Sequence, residues 1–340
     1  MLDKKAYEPA MRRAMELSLL GPKYGANPQV GAVILDENLK IIAEGFHNGA
    51  GSAHAEVNAL QQLEVVPAGA TAVVTLEPCN HQGRTGPCAK ALIDAGISRV
   101  IFGASDPGDA SANGAKTLQQ AGVAVLGGLL ADEITTQQKT WFTATNLKRP
   151  FITLKWAQTL DGRSAASDKT SKWISGTESR NHVHKMRSEI DAIIVGTSTA
   201  ILDDPELTAR KEDGSLYEHQ PMRVIIGERT LPNNLRVFND LAETEVFATR
   251  DIKAVIDKLY EKKFKHVLVE GGARLISAFL EAGLFDEILI YQAPLLVGGA
   301  NVAVEEIGVS TMQEATQLSF SEVSRLGQDV FIRAIKRGEN

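Results

Sequence analysis

The chain has 340 residues, 44% of them hydrophobic and 6% aromatic, with a net charge of −6 at neutral pH. That length exceeds what one core organises, so two domains are expected, and the composition is that of a globular protein. No run approaches the roughly 18–20 apolar residues of a membrane helix, no secretion leader is visible, and acidic residues outnumber basic ones in both halves, which leaves no bulk basic footprint for nucleic acid. A cytoplasmic protein acting on small molecules follows as the expectation, with neither membrane nor nucleic acid as partner.

In chain order, apolar spacing predicts a helix over 5–20, stopped by Gly21-Pro22. Strands follow at 30–35 and 40–44 around the turn Asp36-Glu37-Asn38. A helix runs from His54 to about Leu63 with Ser52 as candidate N-cap. A strand at 72–76 precedes the loop 77–86, and Pro87 suits the start of a helix reaching Ala95. Strands at 99–103 and 123–126 flank a helix at 117–121. This strand–helix alternation predicts an α/β/α layered domain. Asn146 to Pro150 is a polar break, which puts one domain at 1–146 and another at 150–340. The second alternates strands at 151–156, 190–195, 222–226, 245–248, 266–269 and 287–291 with helices at 178–188, 252–261 and 273–282. That pattern predicts a second α/β domain, mostly parallel in its middle.

Only two cysteines occur, Cys79 and Cys88. Eight residues separate them, and in a reducing compartment such a pair points to metal or catalysis more than to a disulfide. Their neighbours decide between these. His54-Ala55-Glu56 opens a helix, Pro78-Cys79 ends a strand and Cys88 opens the next helix. Zinc nucleobase deaminases use His-x-Glu followed by Pro-Cys-x-x-Cys, with the glutamate as acid/base. Here the order holds and the cysteine gap is wider. His54, Cys79 and Cys88 supply three zinc ligands and leave a fourth position for water, whose pKa the metal lowers. Glu56 is the candidate proton carrier. Residues two apart on a helix point about 200° apart, so His54 and Glu56 share a site only at the helix end. A structural zinc closed by His47 or His81, a nucleic-acid deaminase with a fused domain, and a metal-stabilised binding module are the alternatives.

At this point the chain resembles the bifunctional riboflavin-biosynthesis deaminase–reductases, over nearly its whole length. In the first half the resemblance rests on Asn27-Pro28-Gln29-Val30-Gly31, Gly45-Phe46-His47, the run from His54 to Leu60, and Thr75 to Cys88 with its eight-residue gap. In the second it rests on Lys155 to Arg163, Ser171 to Ile174, Met186-Arg187, Gly196 to Thr199, Asp203 to Arg210 and Val269-Glu270-Gly271-Gly272. The resemblance implies a cytidine-deaminase-like α/β/α domain followed by a dihydrofolate-reductase-like α/β domain, with zinc and NADPH as cofactors. It implies zinc-dependent deamination of 2,5-diamino-6-ribosylamino-4(3H)-pyrimidinone 5′-phosphate, then NADPH reduction of the ribosyl chain to ribityl, in a homo-oligomer.

By position, the resemblance implies Asn27 and His81 as contacts of the pyrimidine substrate. Lys155, Ser171, Arg187, Leu207, Arg210 and Glu270 are implied around the ribosyl phosphate. Ala157, Trp173, Thr199, Asp203, Gly272, Ala273, Arg274, Leu275, Ile276, Ser277 and Ala278 are implied to hold NADPH. The chain departs from the family pattern at Gly86, at Asp106-Pro107-Gly108-Asp109, at Gly227-Glu228, where a short hydroxyl side chain is usual, and at Leu295, which stands for a lysine.

Overall fold

The computed structural model describes residues 3–81, 86–108 and 112–337. Contacts divide the chain into two compact units, Met1–Lys148 and Arg149–Asn340. Among the described residues no helix is long and apolar enough to cross a membrane.

The first unit runs α1 (Glu8–Ser18), β1 (Gly31–Leu35), β2 (Ile41–Phe46), α2 (Ala55–Leu60), β3 (Thr71–Leu76), α3 (Cys88–Asp94), β4 (Arg99–Ala104), α4 (Gly114–Gln120), β5 (Ala124–Leu126), α5 (Ala131–Gln137) and α6 (Lys139–Leu147). Its sheet has the order β2-β1-β3-β4-β5, antiparallel around β1 and parallel from β3 onward. The strands are apolar on both sides and feed two cores. Val33, Leu35, Val73 and Ile101 pack with Met11 and Ala14 of α1, Ile134 of α5 and Phe142 of α6. Ala32, Ile34, Ala72, Val74 and Val100 pack with Ala55 and Ala59 of α2, Leu92 of α3 and Leu118 of α4. The period of two along each strand thus makes the three layers. The β1–β2 turn is closed by Asp36, whose Oδ1 accepts from the backbone N–H of Asn38 and Lys40, both at 2.9 Å.

Two local expectations need correction. Ser52 does not cap α2: its hydroxyl donates to Gly49 O at 2.7 Å, and His54 holds the N-cap position. Pro87 is likewise the residue before α3, with Cys88 first in the helix. Helices α5 and α6 were not expected, because the threonine-rich stretch carries weak helix propensity and takes its helical form on the sheet.

The second unit runs β6 (Phe151–Thr159), α7 (Thr177–Arg187), β7 (Ala192–Gly196), α8 (Thr197–Asp203), β8 (Met222–Ile226), β9 (Thr244–Phe247), α9 (Ile252–Glu261), β10 (His266–Val269), α10 (Ala273–Glu281), β11 (Glu287–Ala293), β12 (Leu318–Leu326) and β13 (Asp329–Lys336). Its eight-stranded sheet has the order β12-β13-β11-β6-β10-β7-β8-β9. The strands from β11 to β9 are parallel, and the closing β12–β13 hairpin is antiparallel. Strand β10 returns between β6 and β7, so the chain reverses its direction of travel across the sheet there. In open parallel sheets that is where the strand carboxyl ends leave a ligand crevice.

Candidate active sites

The first site forms where three element ends meet. His54 precedes α2 in extended backbone, so it is not yet on the helix when Glu56 begins the first turn. That removes the 200° conflict and lets both side chains face one cavity. Cys79 follows β3 by three residues, and Cys88 opens α3 on the same side of the sheet. His54 Nδ1 lies 3.1 Å from Cys88 Sγ and 3.5 Å from Cys79 Sγ, and Cys88 N donates to Cys79 Sγ at 3.4 Å. The three ligand atoms all lie within 4.8 Å of one another. Tetrahedral zinc with ordinary Zn–S and Zn–N bonds needs ligand separations of roughly 3.5 Å, so the set fits the ion. The thiols argue the same way. Cys79 is held low by its hydrogen bond with Cys88, and Cys88 is pushed up by that bond and by burial. Without a cation between them only one of the two ionises, and a bound cation would let both serve as thiolate ligands.

Glu56 is 3% exposed, and burial pushes its carboxyl up, reinforced by the charge on Cys79. It lines a cavity of about 230 Å³ with Asn27, His47, His54, Glu77, Cys79, His81, Asp106 and Trp141. His47 stacks edge-on to His54 at 5.2 Å, but both its nitrogens are engaged. Nε2 meets Asn27 Nδ2 at 2.9 Å and Nδ1 meets Ala53 O at 3.2 Å. A ring that accepts from an amide and donates to a carbonyl is neutral, and burial lowers its pKa accordingly. His81 keeps a buried Nδ1 without a partner at the cavity. Among the described residues neither histidine joins the ligand group, so the closed structural site finds no fourth ligand there.

Sequence reasoning missed Trp141 and Glu77. Trp141 on α6 donates its indole N–H to Ala26 O at 3.1 Å, bracing the loop that carries Asn27. Glu77 Oε1 accepts from Ala115 N at 3.0 Å. Both contacts join distant segments, and no local pattern marks them. Gln82 to Thr85 and Asp109 lie outside the described residues.

The second site lies at the carboxyl end of β10, beside the middle of β6. Their register pairs Leu154 with Val269, so Lys155 and Glu270 emerge side by side. Lys155 Nζ donates to Glu270 Oε2 at 3.3 Å. Arg187, at the end of α7, grips both carboxylate oxygens at 2.8 and 2.9 Å and donates to Thr208 O at 3.1 Å. Burial alone would raise Glu270, yet Arg187 and Lys155 outweigh it and hold the carboxyl at about 2. The fork of Arg187 is thus engaged within the protein. So is Arg210, which bonds Glu206 and Gly214 O. Leu207 is buried with φ of +55°. Ser171 meets Asp203 at 3.4 Å, and Trp173 is 70% exposed with Arg180 at 4.7 Å from its ring.

The glycine turn before α10 is the candidate dinucleotide contact. Gly272 precedes α10, and its N–H donates to Thr199 Oγ1 at 3.0 Å. A Cβ on Gly271 would stand 2.7 Å from Leu275. A glycine turn before a helix is a common diphosphate contact, and here the side chains of Thr199 and Leu275 pack against it. Ala157 is half-buried near the end of β6, and Ala273 and Arg274 follow Gly272 into the helix start. Ile276 is turned into the core instead, and Ser277 Oγ accepts from Glu305 N at 2.8 Å, so these two side chains do not face the crevice. Ala278 lies a turn further along, half-buried.

Comparison with known proteins decides what the two sites belong to. Residues 4–104 match the cytidine and deoxycytidylate deaminase zinc-binding region, and residues 150–332 match the RibD C-terminal domain. The chain is 42% identical to the riboflavin biosynthesis protein RibD of Mycobacterium tuberculosis over 336 residues, 98% of each chain. It belongs to the RibD family. Identity to Escherichia coli RibD is 34% over 361 residues, 96% of this chain and 98% of that one. The structure of Acinetobacter baumannii RibD superposes with a TM-score of 0.91 at 34% identity, covering 98% and 99% of the two chains. That of a Thermotoga maritima diaminohydroxyphosphoribosylaminopyrimidine deaminase/5-amino-6-(5-phosphoribosylamino)uracil reductase gives 0.87 at 32% identity with the same coverage. The protein is therefore a bifunctional deaminase–reductase of riboflavin biosynthesis, with zinc and NADPH as its cofactors.

Proposed function

We propose that residues 1–146 deaminate 2,5-diamino-6-ribosylamino-4(3H)-pyrimidinone 5′-phosphate and that residues 150–340 reduce the ribosyl chain of the product to ribityl. The observation that carries the first half is Glu56, buried in a base-sized cavity beside His54, Cys79 and Cys88. Zinc, when bound, supplies the Lewis acid that makes water a nucleophile at neutral pH. Glu56 takes the proton from that water at its carboxylate and hands protons to the ring nitrogen and the departing amine. Its raised pKa suits a group that must both accept and release a proton. Asn27, fixed by His47, and His81, with its unpartnered Nδ1, meet the pyrimidine.

In the second unit NADPH, when bound, supplies the hydride. Lys155 and Glu270 stand at the reacting sugar, and Arg187 works through Glu270 by fixing it. Ser171, Leu207 and Arg210 complete the ribosyl-phosphate site. Ala157, Trp173, Thr199, Asp203 and the run from Gly272 to Ala278 form the NADPH side, the last three through backbone and packing. The same reading makes the protein a cytoplasmic homo-oligomer. Edge strand β12 leaves Phe320 and Val323 exposed, an apolar edge that a second copy covers.

The test is turnover of the diaminopyrimidine phosphate by purified protein. Release of one ammonia should precede consumption of one NADPH per substrate. Activity on cytidine or deoxycytidylate in place of this substrate would overturn the assignment.

A further inference from the structure

Along the carboxyl edge of the second sheet β10, β7, β8 and β9 stand side by side, and a line of contacts crosses them from the start of α10. Gly272 meets Thr199 as described. At the start of α8, Thr197 presses on Gly227, where an added Cβ would stand 2.7 Å from Thr197 Oγ1. Gly227 has φ of +139°, and its N–H donates to Phe247 O at 3.0 Å. At the far end of this glycine floor two exposed side chains meet. Glu228 follows Gly227 directly, and Arg250 lies three residues past β9. They are 2.9 Å apart, with side chains 57% and 84% exposed.

A dinucleotide whose diphosphate rests on the Gly271–Gly272 turn carries its adenosine ribose one or two strand spacings away, about 5–10 Å. That distance reaches the end of β8. A carboxylate there accepts from a free ribose 2′-hydroxyl and opposes a 2′-phosphate, whereas a guanidinium does the reverse. This chain presents both, joined in an exposed pair that separates at little cost.

We propose that the Glu228–Arg250 pair reads the 2′ position of the bound dinucleotide. Glu228 receives the 2′-hydroxyl of NADH, Arg250 turns to the 2′-phosphate of NADPH, and the reductase unit accepts both with weak discrimination. The inference rests on reading the second unit as a nicotinamide dinucleotide site.

Titration calorimetry of the full zinc-loaded chain with NADPH and with NADH tests it, since all three variants change exposed side chains. The unaltered protein should bind the two within about tenfold of each other. Glu228→Gln and Glu228→Ser should each raise the preference for NADPH about tenfold, and Arg250→Ala should weaken NADPH alone by a similar factor. A preference that stays within about twofold of the original in Glu228→Gln overturns the proposal. Failure of the unaltered protein to bind either dinucleotide overturns the reading of the crevice itself, and the inference with it.

Discussion

Glu56 and Glu270 are both buried carboxyls, and their neighbours drive them in opposite directions. Burial beside Cys79 raises Glu56, while Arg187 and Lys155 hold Glu270 down at about 2 against the same burial. Glu56 was legible in the sequence because His54 and Glu56 are two residues apart. The setting of Glu270 was not, since Arg187 lies 83 residues away and Lys155 115. The register of β6 on β10 brings Lys155 to Glu270, and the end of α7 brings Arg187. Glu270 therefore stabilises the fold above its ordinary carboxylate pKa, and that contribution fades as pH falls from about 4.5 to about 2. Glu270→Gln should cost about 3 kcal/mol at pH 7. Urea unfolding of the variant beside the unaltered chain should show that difference at pH 7 and a much smaller one near the acid limit. An equal difference at both pH values would mean Glu270 acts by packing alone.

At the scale of elements, the ends of helices carry the chemistry. His54 reaches the cluster because it stands just before α2, and Cys88 because it is the first residue of α3. Helix α4 sets the loop between them. A Cβ at Gly114 would lie 1.7 Å from Pro78 O, so the start of α4 fits flush against the backbone that leads into Cys79. Gly114→Ala must push that loop away, and zinc affinity should fall about 10–100-fold, as when other supports of metal ligands are lost. Competition with a chromophoric chelator measures this, and unchanged affinity would show that the loop is fixed elsewhere. Most of the strands and helices were readable from periodicity, but α8 and the closing strands β12 and β13 were not expected. Helices α5 and α6 were not, because Thr135, Thr136, Thr140, Thr143 and Thr145 weaken the local signal and Ile134 and Phe142 gain their helical form from the core they fill.

At the scale of the whole molecule, each compact unit holds its own sheet and its own site. The contacts divide between Lys148 and Arg149, within the polar stretch Asn146–Pro150. The departure at Gly227-Glu228 has a physical reading: Thr197 leaves no room for a side chain at Gly227, and Glu228 pairs with Arg250. Leu295 stands half-exposed after β11, and nothing in the structure explains its replacement of a lysine. Independent sites predict independent losses. Stripping zinc with a chelator should abolish ammonia release and leave NADPH oxidation on the deaminated substrate intact, with zinc restoring the first. A parallel fall in both activities would tie the metal to the reductase.

The most direct test of the two-site account removes one proton carrier and follows both products. In Glu56→Ala, assayed with the diaminopyrimidine phosphate and separately with its deaminated product, ammonia release should vanish while NADPH oxidation on the deaminated product proceeds at the unaltered rate. Loss of both activities, or of neither, would contradict it.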